Sequence, residues 1–77
     1  MSTGEEAFSL EEVAVVAGGQ LDGRTVGELR ADGVFTLAIL PEGGRYQANP
    51  PDERRLSPGE HLVMSGASAI LREVREE

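Results

Sequence analysis

"TVGELRADGVFTLAIL", Thr25–Leu40, changes its rules midway. Thr25 with Glu28 three residues on is the pattern of a capping box, which starts a helix by satisfying the first free backbone amides. Val26 and Leu29, three apart, give that helix one apolar side. Gly33 can take the left-handed conformation that ends it, so the helix is two turns at most. Gly27 inside it is a poor helix former, so packing against the rest of the chain must hold the helix in place. "VFTLAIL", Val34–Leu40, then carries apolar side chains on both faces of an extended chain and is the best candidate for a central strand.

Working outward, "LEEVAVVAG" from Leu10 is rich in β-branched residues, with Val13 and Val15 on one face and Ala14 and Val16 on the other. It reads as a strand buried on at least part of both faces. Met1 to Ser9 is short, polar and acidic and reads as a flexible leader. After Leu40, "PEGG" turns the chain, and Arg45-Tyr46-Gln47 returns as the second arm of a hairpin, with Leu40 and Tyr46 flanking the turn. "NPPDERRLSPGE" cannot be a central strand, because its prolines donate no backbone hydrogen bond; it is a connecting arch. "HLVMS" follows as a short strand with Leu62 and Met64 alternating against His61 and Val63. "SAILREVREE" has Ile70, Leu71 and Val74 at helical spacing, with Ser68 as a candidate cap. Glu76-Glu77 place acid at the negative end of that helix, which favours fraying.

The expected fold is therefore α+β: a small sandwich of a mostly antiparallel four-stranded sheet with two helices, in the order β-α-β-β-β-α, over residues 10–77.

The totals bound the function. A chain of 77 residues holds one domain with a small core, and domains of this size are marginal without help. Cysteine is absent and there is one histidine, His61, which argues against disulfides and against a structural metal site. Oligomerisation is left as the stabiliser. A net charge of −7 repels phosphate backbones and anionic lipid surfaces, so nucleic-acid binding is disfavoured. No apolar run approaches the ~20 residues that span a bilayer, and the N-terminus lacks the basic and apolar parts of a signal peptide. A cytoplasmic location is the expectation.

"GGQLDGRT" has the G-x-x-x-x-G spacing of a phosphate-binding loop, with arginine in place of lysine. The plainer reading, a glycine-rich crossover in which Thr25 caps a short helix, accounts for every residue. No nucleophile elbow accompanies His61, and the clustered acids read as solubility charges, so no enzyme is expected. The arginines stand out in an acidic chain. Arg30, Arg45, Arg54 and Arg55 have the planar fork suited to phosphate or carboxylate, against the plainer reading of pairing with Glu28, Asp52, Glu53 or Glu60.

Taken together, "EVAVVAGGQLDGRTVGEL" and "GVFTLAILPEGGRYQANPPDERRLSPGEHLVMSG" resemble the TrkA C-terminal (RCK C-terminal) domain. Gly23, Thr25, Glu28, Leu29, Ala38, Ile39, Pro51, Leu56, Gly59, Leu62 and Gly66 match its pattern in order and spacing, and Glu60 replaces a common aspartate. The resemblance covers about Leu10 to Val74. It implies a regulatory domain of potassium channels and of cation transporters or antiporters, acting as a homodimer on the cytoplasmic side of the membrane through a membrane partner. Some such domains bind a small ligand, cyclic di-AMP, at the dimer interface. Binders of that ligand have an arginine at the end of a longer helix, an asparagine entering the next strand and a histidine past the hairpin. Here Arg30, Phe35 and Arg45 fall at or near those positions and are the candidate ligand-binding residues, Phe35 by stacking on a base. A dimerisation or interaction module without a small-molecule ligand is the alternative.

Overall fold

A computed structural model describes residues 8–75 of the chain. The elements run β1 (Phe8–Ala14), α1 (Val26–Ala31), β2 (Val34–Leu40), β3 (Gln47–Ala48), β4 (His61–Ala67) and α2 (Ser68–Arg75). The sheet order is β1-β4-β2-β3 and every neighbouring pair is antiparallel. Since β1 and β2 each run against β4, they run in the same direction, with α1 as the crossover and β4 inserted between them.

β1 begins at Phe8, two residues before the expected start at Leu10, and ends at Ala14. Residues 1–7 of the expected leader, and Glu76-Glu77 where fraying is expected, lie outside the described residues. The returning arm of the hairpin pairs only through Gln47 and Ala48, opposite Ile39 and Ala38. Ser68 is the first residue of α2 rather than a cap before it, and its hydroxyl shares a hydrogen bond with Ser9 of β1.

Helix α1 starts as its sequence dictates. The Thr25 hydroxyl accepts from the Glu28 amide at 3.1 Å, and the Glu28 carboxylate accepts from the Thr25 amide at 3.1 Å. Two further amides of the first turn, Val26 and Gly27, donate to the carbonyls of Arg54 and Asp52 in the arch, each at 2.9 Å. The arch therefore completes the helix cap. It also explains Gly27: a Cβ there would stand 3.0 Å from the Asp52 Cβ and 3.2 Å from the Asp52 carbonyl oxygen. Gly33, at φ +91°, ends the helix as expected.

Both helices pack on one face of the sheet. Val26 and Leu29 of α1 and Leu71 and Val74 of α2 join Val13, Val34, Ile39, Leu62 and Met64 in a single core, closed at one end by Val15, Leu21 and Leu56. A β-bulge between Thr36 and Ala38 resets the alternation of β2. Without it Ile39 would point outward; with it Ala38 and Ile39 are both buried. The close approach of the last strand to the helix turn needs Gly66, where a Cβ would lie 2.7 Å from the Gly33 carbonyl oxygen.

The expected burial of both faces of β1 and β2 is corrected. Val13 and Val15 are buried but Val16 is 54 % exposed, and on β2 Phe35, Leu37 and Leu40 are 41, 45 and 46 % exposed. Among the described residues, two short helices on one side leave the second face of the sheet uncovered.

Candidate functional site: an aromatic sheet face and its flanking arginines

The uncovered face is built by the cross-strand register. Leu10, Ser65 and Phe35 form one row; Ala14, His61 and Leu40 form another; between them Glu12 and Val63 share a row with Ala38, and the bulge leaves Leu37, just before it, exposed. Phe8 opposes Ala67 at one end, and Tyr46 follows Leu40 across the β2–β3 turn at the other. Seven large apolar or aromatic side chains are exposed among the described residues: Phe8, Leu10, Val16, Phe35, Leu37, Leu40 and Tyr46. They fall on the outward positions of the strands or on the chain that directly continues them.

The chain has two Phe, one Tyr and no Trp. None of these aromatic residues is in the core; Phe8 is 72 % exposed, Tyr46 65 % and Phe35 41 %. A domain short of core volume would be expected to bury its largest side chains first. Taking 150–250 Å² for a whole aromatic residue, the exposed apolar surface is on the order of 600 Å², at the upper end of what isolated monomers show. Charge on the outward strand positions is confined to Glu12 and His61, whose Oε2 and Nδ1 stand 3.5 Å apart.

The arginines divide into engaged and free. Arg24 pairs with Asp32 at 2.7 Å and with Glu28 at 3.8 Å. Arg30 pairs with Asp52 at 2.9 Å. Arg55 donates to the Gly23 carbonyl. Arg54 is the most enclosed: it donates to both carboxylate oxygens of Glu60, at 3.2 and 2.9 Å, and to Gln47 at 3.0 Å. Burial pushes the Glu60 carboxyl up, but the Arg54 hydrogen bonds, the Ser57 amide and the Arg54 charge outweigh it and leave it below the usual carboxylate range. Of the expected acid partners, Glu28, Asp52 and Glu60 are the ones used. Arg45 has no ion pair among the described residues and lies in the exposed β2–β3 turn.

The three candidate ligand residues therefore sit apart within one chain. Arg30 is on α1, on the core side of the sheet, held by the arch. Phe35 is on the outer face at the start of β2. Arg45 lies beyond the far end of that strand, roughly 16 Å or more from Phe35 at about 3.3 Å per strand residue. Sequence reasoning singled out Phe35 but missed the outer face to which it belongs. The signal was present: apolar residues on both faces of two strands, with only two short helices to cover them.

The glycine loop is not a phosphate cradle. The Gly18 amide is taken by the Asp22 carboxylate at 2.9 Å, and the first-turn amides of α1 are consumed by Thr25 and the arch. Among the described residues there is no group of three or more potential metal ligands and no helix long and apolar enough to cross a membrane.

A search of curated proteins returns no match. The family model described as the TrkA-C domain matches residues 10–77, which takes in all the elements described above. With an ordered pattern of glycines, cap and arch that the structure explains contact by contact, the chain belongs to the TrkA-C domain family, regulatory domains of potassium and other cation transport systems.

Proposed function

We propose that this domain regulates potassium or other cation transport as a ligand-sensing homodimer, seated at the cytoplasmic face of the membrane through a channel, transporter or antiporter partner. The observation that carries the reading is the placement of Phe8, Phe35 and Tyr46 on an exposed face rather than in the core. Aromatic residues are enriched where proteins meet other molecules, because they bring much contact area at low entropic cost. The candidate residues fit a ligand shared between two copies better than one held by a single copy: Phe35 offers a ring face for a base, and Arg45 offers a free guanidinium for a phosphate. Arg30 is available if a phosphate displaces Asp52. That pair is about half exposed on both sides, and such pairs contribute at most about 1 kcal/mol. A ligand such as cyclic di-AMP would act by binding one arrangement of the two copies better than another, which shifts the population the transport partner responds to.

A second reading, an interaction module without a small ligand, is favoured by the engagement of Arg24, Arg30, Arg54 and Arg55 within the domain. Thermal unfolding against cyclic di-AMP, AMP, ATP and dinucleotide cofactors separates the two. The sensor reading expects one of these to stabilise the protein by about 2.7 kcal/mol at 100 times its dissociation constant, with the effect lost in Phe35→Ala and Arg45→Ala. A flat panel at millimolar ligand overturns it in favour of the interaction module.

A further inference from the structure

The two edges of the sheet are unlike. At one, β3 has two residues, and Asn49, at φ +50°, and Pro50-Pro51 follow it directly, so the chain leaves the sheet at once. Shortness and proline are how sheets keep an edge from taking on another strand. At the other edge β1 has neither defence. Its seven residues, Phe8–Ala14, contain no proline or glycine and pair with β4 one for one without a bulge. Among the described residues no strand lies beyond it. We infer that the β1 edge is a docking surface for an extended, basic segment of another polypeptide, which joins the sheet as a fifth strand beside β1.

The side chains of β1 give the occupant its character. Toward the outer face the strand presents Phe8, Leu10, Glu12 and Ala14; toward the helices it presents Ser9, Glu11 and Val13. Phe8 and Leu10, 72 and 67 % exposed, are the most exposed large apolar residues of the described chain. An incoming strand with apolar residues opposite them covers the flank that β4 does not reach. Glu11 and Glu12 put a carboxylate on each face at mid-strand, and the Glu12 side chain stays 64 % exposed beside His61. Opposite charges directly across a strand pair attract and like charges repel, so this edge accepts basic residues at those places and refuses acidic ones.

Charge also chooses between occupants. A second copy added through the same edge, in the antiparallel register that pairs all seven residues, sets Glu11 against Glu11 of that copy, and each chain carries 14 acidic residues against 7 basic ones. A segment rich in Lys or Arg meets attraction both at a distance and in contact. Backbone hydrogen bonds supply its affinity and alternate side chains supply the choice, which is how strand addition to a sheet edge selects a peptide. The inference stands whether or not the domain senses a small ligand. Membrane proteins carry an excess of Lys and Arg in the cytoplasmic loops beside their spans, so a transport partner is one source of such a segment; that link alone rests on the proposed function.

The probe is a synthetic heptapeptide, Val-Thr-Lys-Lys-Val-Thr-Val, blocked at both ends, which in antiparallel register sets Lys opposite Glu12 and Glu11 and Val opposite Leu10 and Phe8. Fluorescence anisotropy of the labelled peptide is expected to show saturable binding to the whole chain, with amide hydrogen exchange slowed across residues 8–14 and unchanged in α1 and at Gln47 and Ala48. Replacing both Lys by Glu is expected to weaken binding about tenfold. Glu12→Lys, at a position outside the core, is expected to erase that difference while far-ultraviolet circular dichroism stays the same. N-methylation of alternate peptide residues is expected to abolish binding for the set whose amides face β1 and to leave it within about twofold for the other set. A peptide that does not bind at millimolar concentration, binding that both N-methylated sets keep or both lose, or a preference for Lys that survives Glu12→Lys overturns the inference. None of these outcomes bears on ligand sensing, which the thermal panel tests separately.

Discussion

The inner face of the sheet is packed with aliphatic residues and Met64, with Val34, Ile39, Leu62 and Met64 fully shielded from solvent, while the outer face of the same strands presents Phe8, Phe35, Leu10 and Leu37 to solvent. Neighbouring residues on one strand thus serve different ends. The inner set fixes the fold, since it meets both helices and tolerates neither a missing methyl nor an added one. The outer set meets neither helix, which is why the proposed function sets it against another molecule. The lesson is that the largest apolar side chains of a small domain need not be its core.

Pairs of adjacent residues on opposite faces sharpen or break this contrast. The largest effect is expected at Gly66, where the added Cβ meets the Gly33 carbonyl at 2.7 Å and backbone must move. Gly66→Ala is expected to lose about 3 kcal/mol in urea denaturation, against about 0.5 kcal/mol or less for Ser65→Ala beside it, both measured at low micromolar concentration. Equal losses would mean that the two faces are not separable.

Next comes the Arg54–Glu60 pair, with side chains 22 and 10 % exposed. Glu60→Gln is expected to lose about 2 kcal/mol at neutral pH. The sign of its pH dependence follows from the lowered Glu60 value. The contribution is fully present above the ordinary carboxylate value near 4.5 and is lost as pH falls through the lower value of the folded state. An acid titration should therefore show a decline in the parent chain that flattens in Glu60→Gln; identical profiles would remove Glu60 from the account.

The smallest effect is a gain. Among the described residues the Thr36 hydroxyl is buried without a hydrogen-bond partner, so Thr36→Val is expected to stabilise by about 1 kcal/mol, whereas Phe35→Ser next to it, which removes a ring that is 41 % exposed, is expected to destabilise by about 1 kcal/mol. A loss on Thr36→Val would show that the hydroxyl is satisfied after all.

Local physics made much of this legible in the sequence. The Thr25/Glu28 box, the glycine after α1 and the alternation of Leu62 and Met64 act over a few residues, and each reads correctly from spacing alone. The outer face was harder. A two-residue period says that both faces of "VFTLAIL" are apolar, but only the number and placement of covering helices says which one is buried. The bulge that turns Ile39 inward left no mark that periodicity detects. The arch was legible as a connection from its prolines, but the destinations of its carbonyls were not, because they lie on residues far away in sequence. For the candidate site, Phe35 proved exposed and Arg30 proved tied to Asp52, one of the acids its neighbourhood suggested.

The contacts of that arch reach further than a cap. Asp52 and Arg54 hold the Val26 and Gly27 amides, Leu56 exchanges backbone hydrogen bonds with Gly23 and Arg24, and the side chain of Arg54 grips Glu60 immediately before β4. Helix entry, connection and strand entry are thus tied in one continuous hydrogen-bonded frame. That frame joins α1 to β4 by polar contacts alone, a second connection beside the apolar core they share.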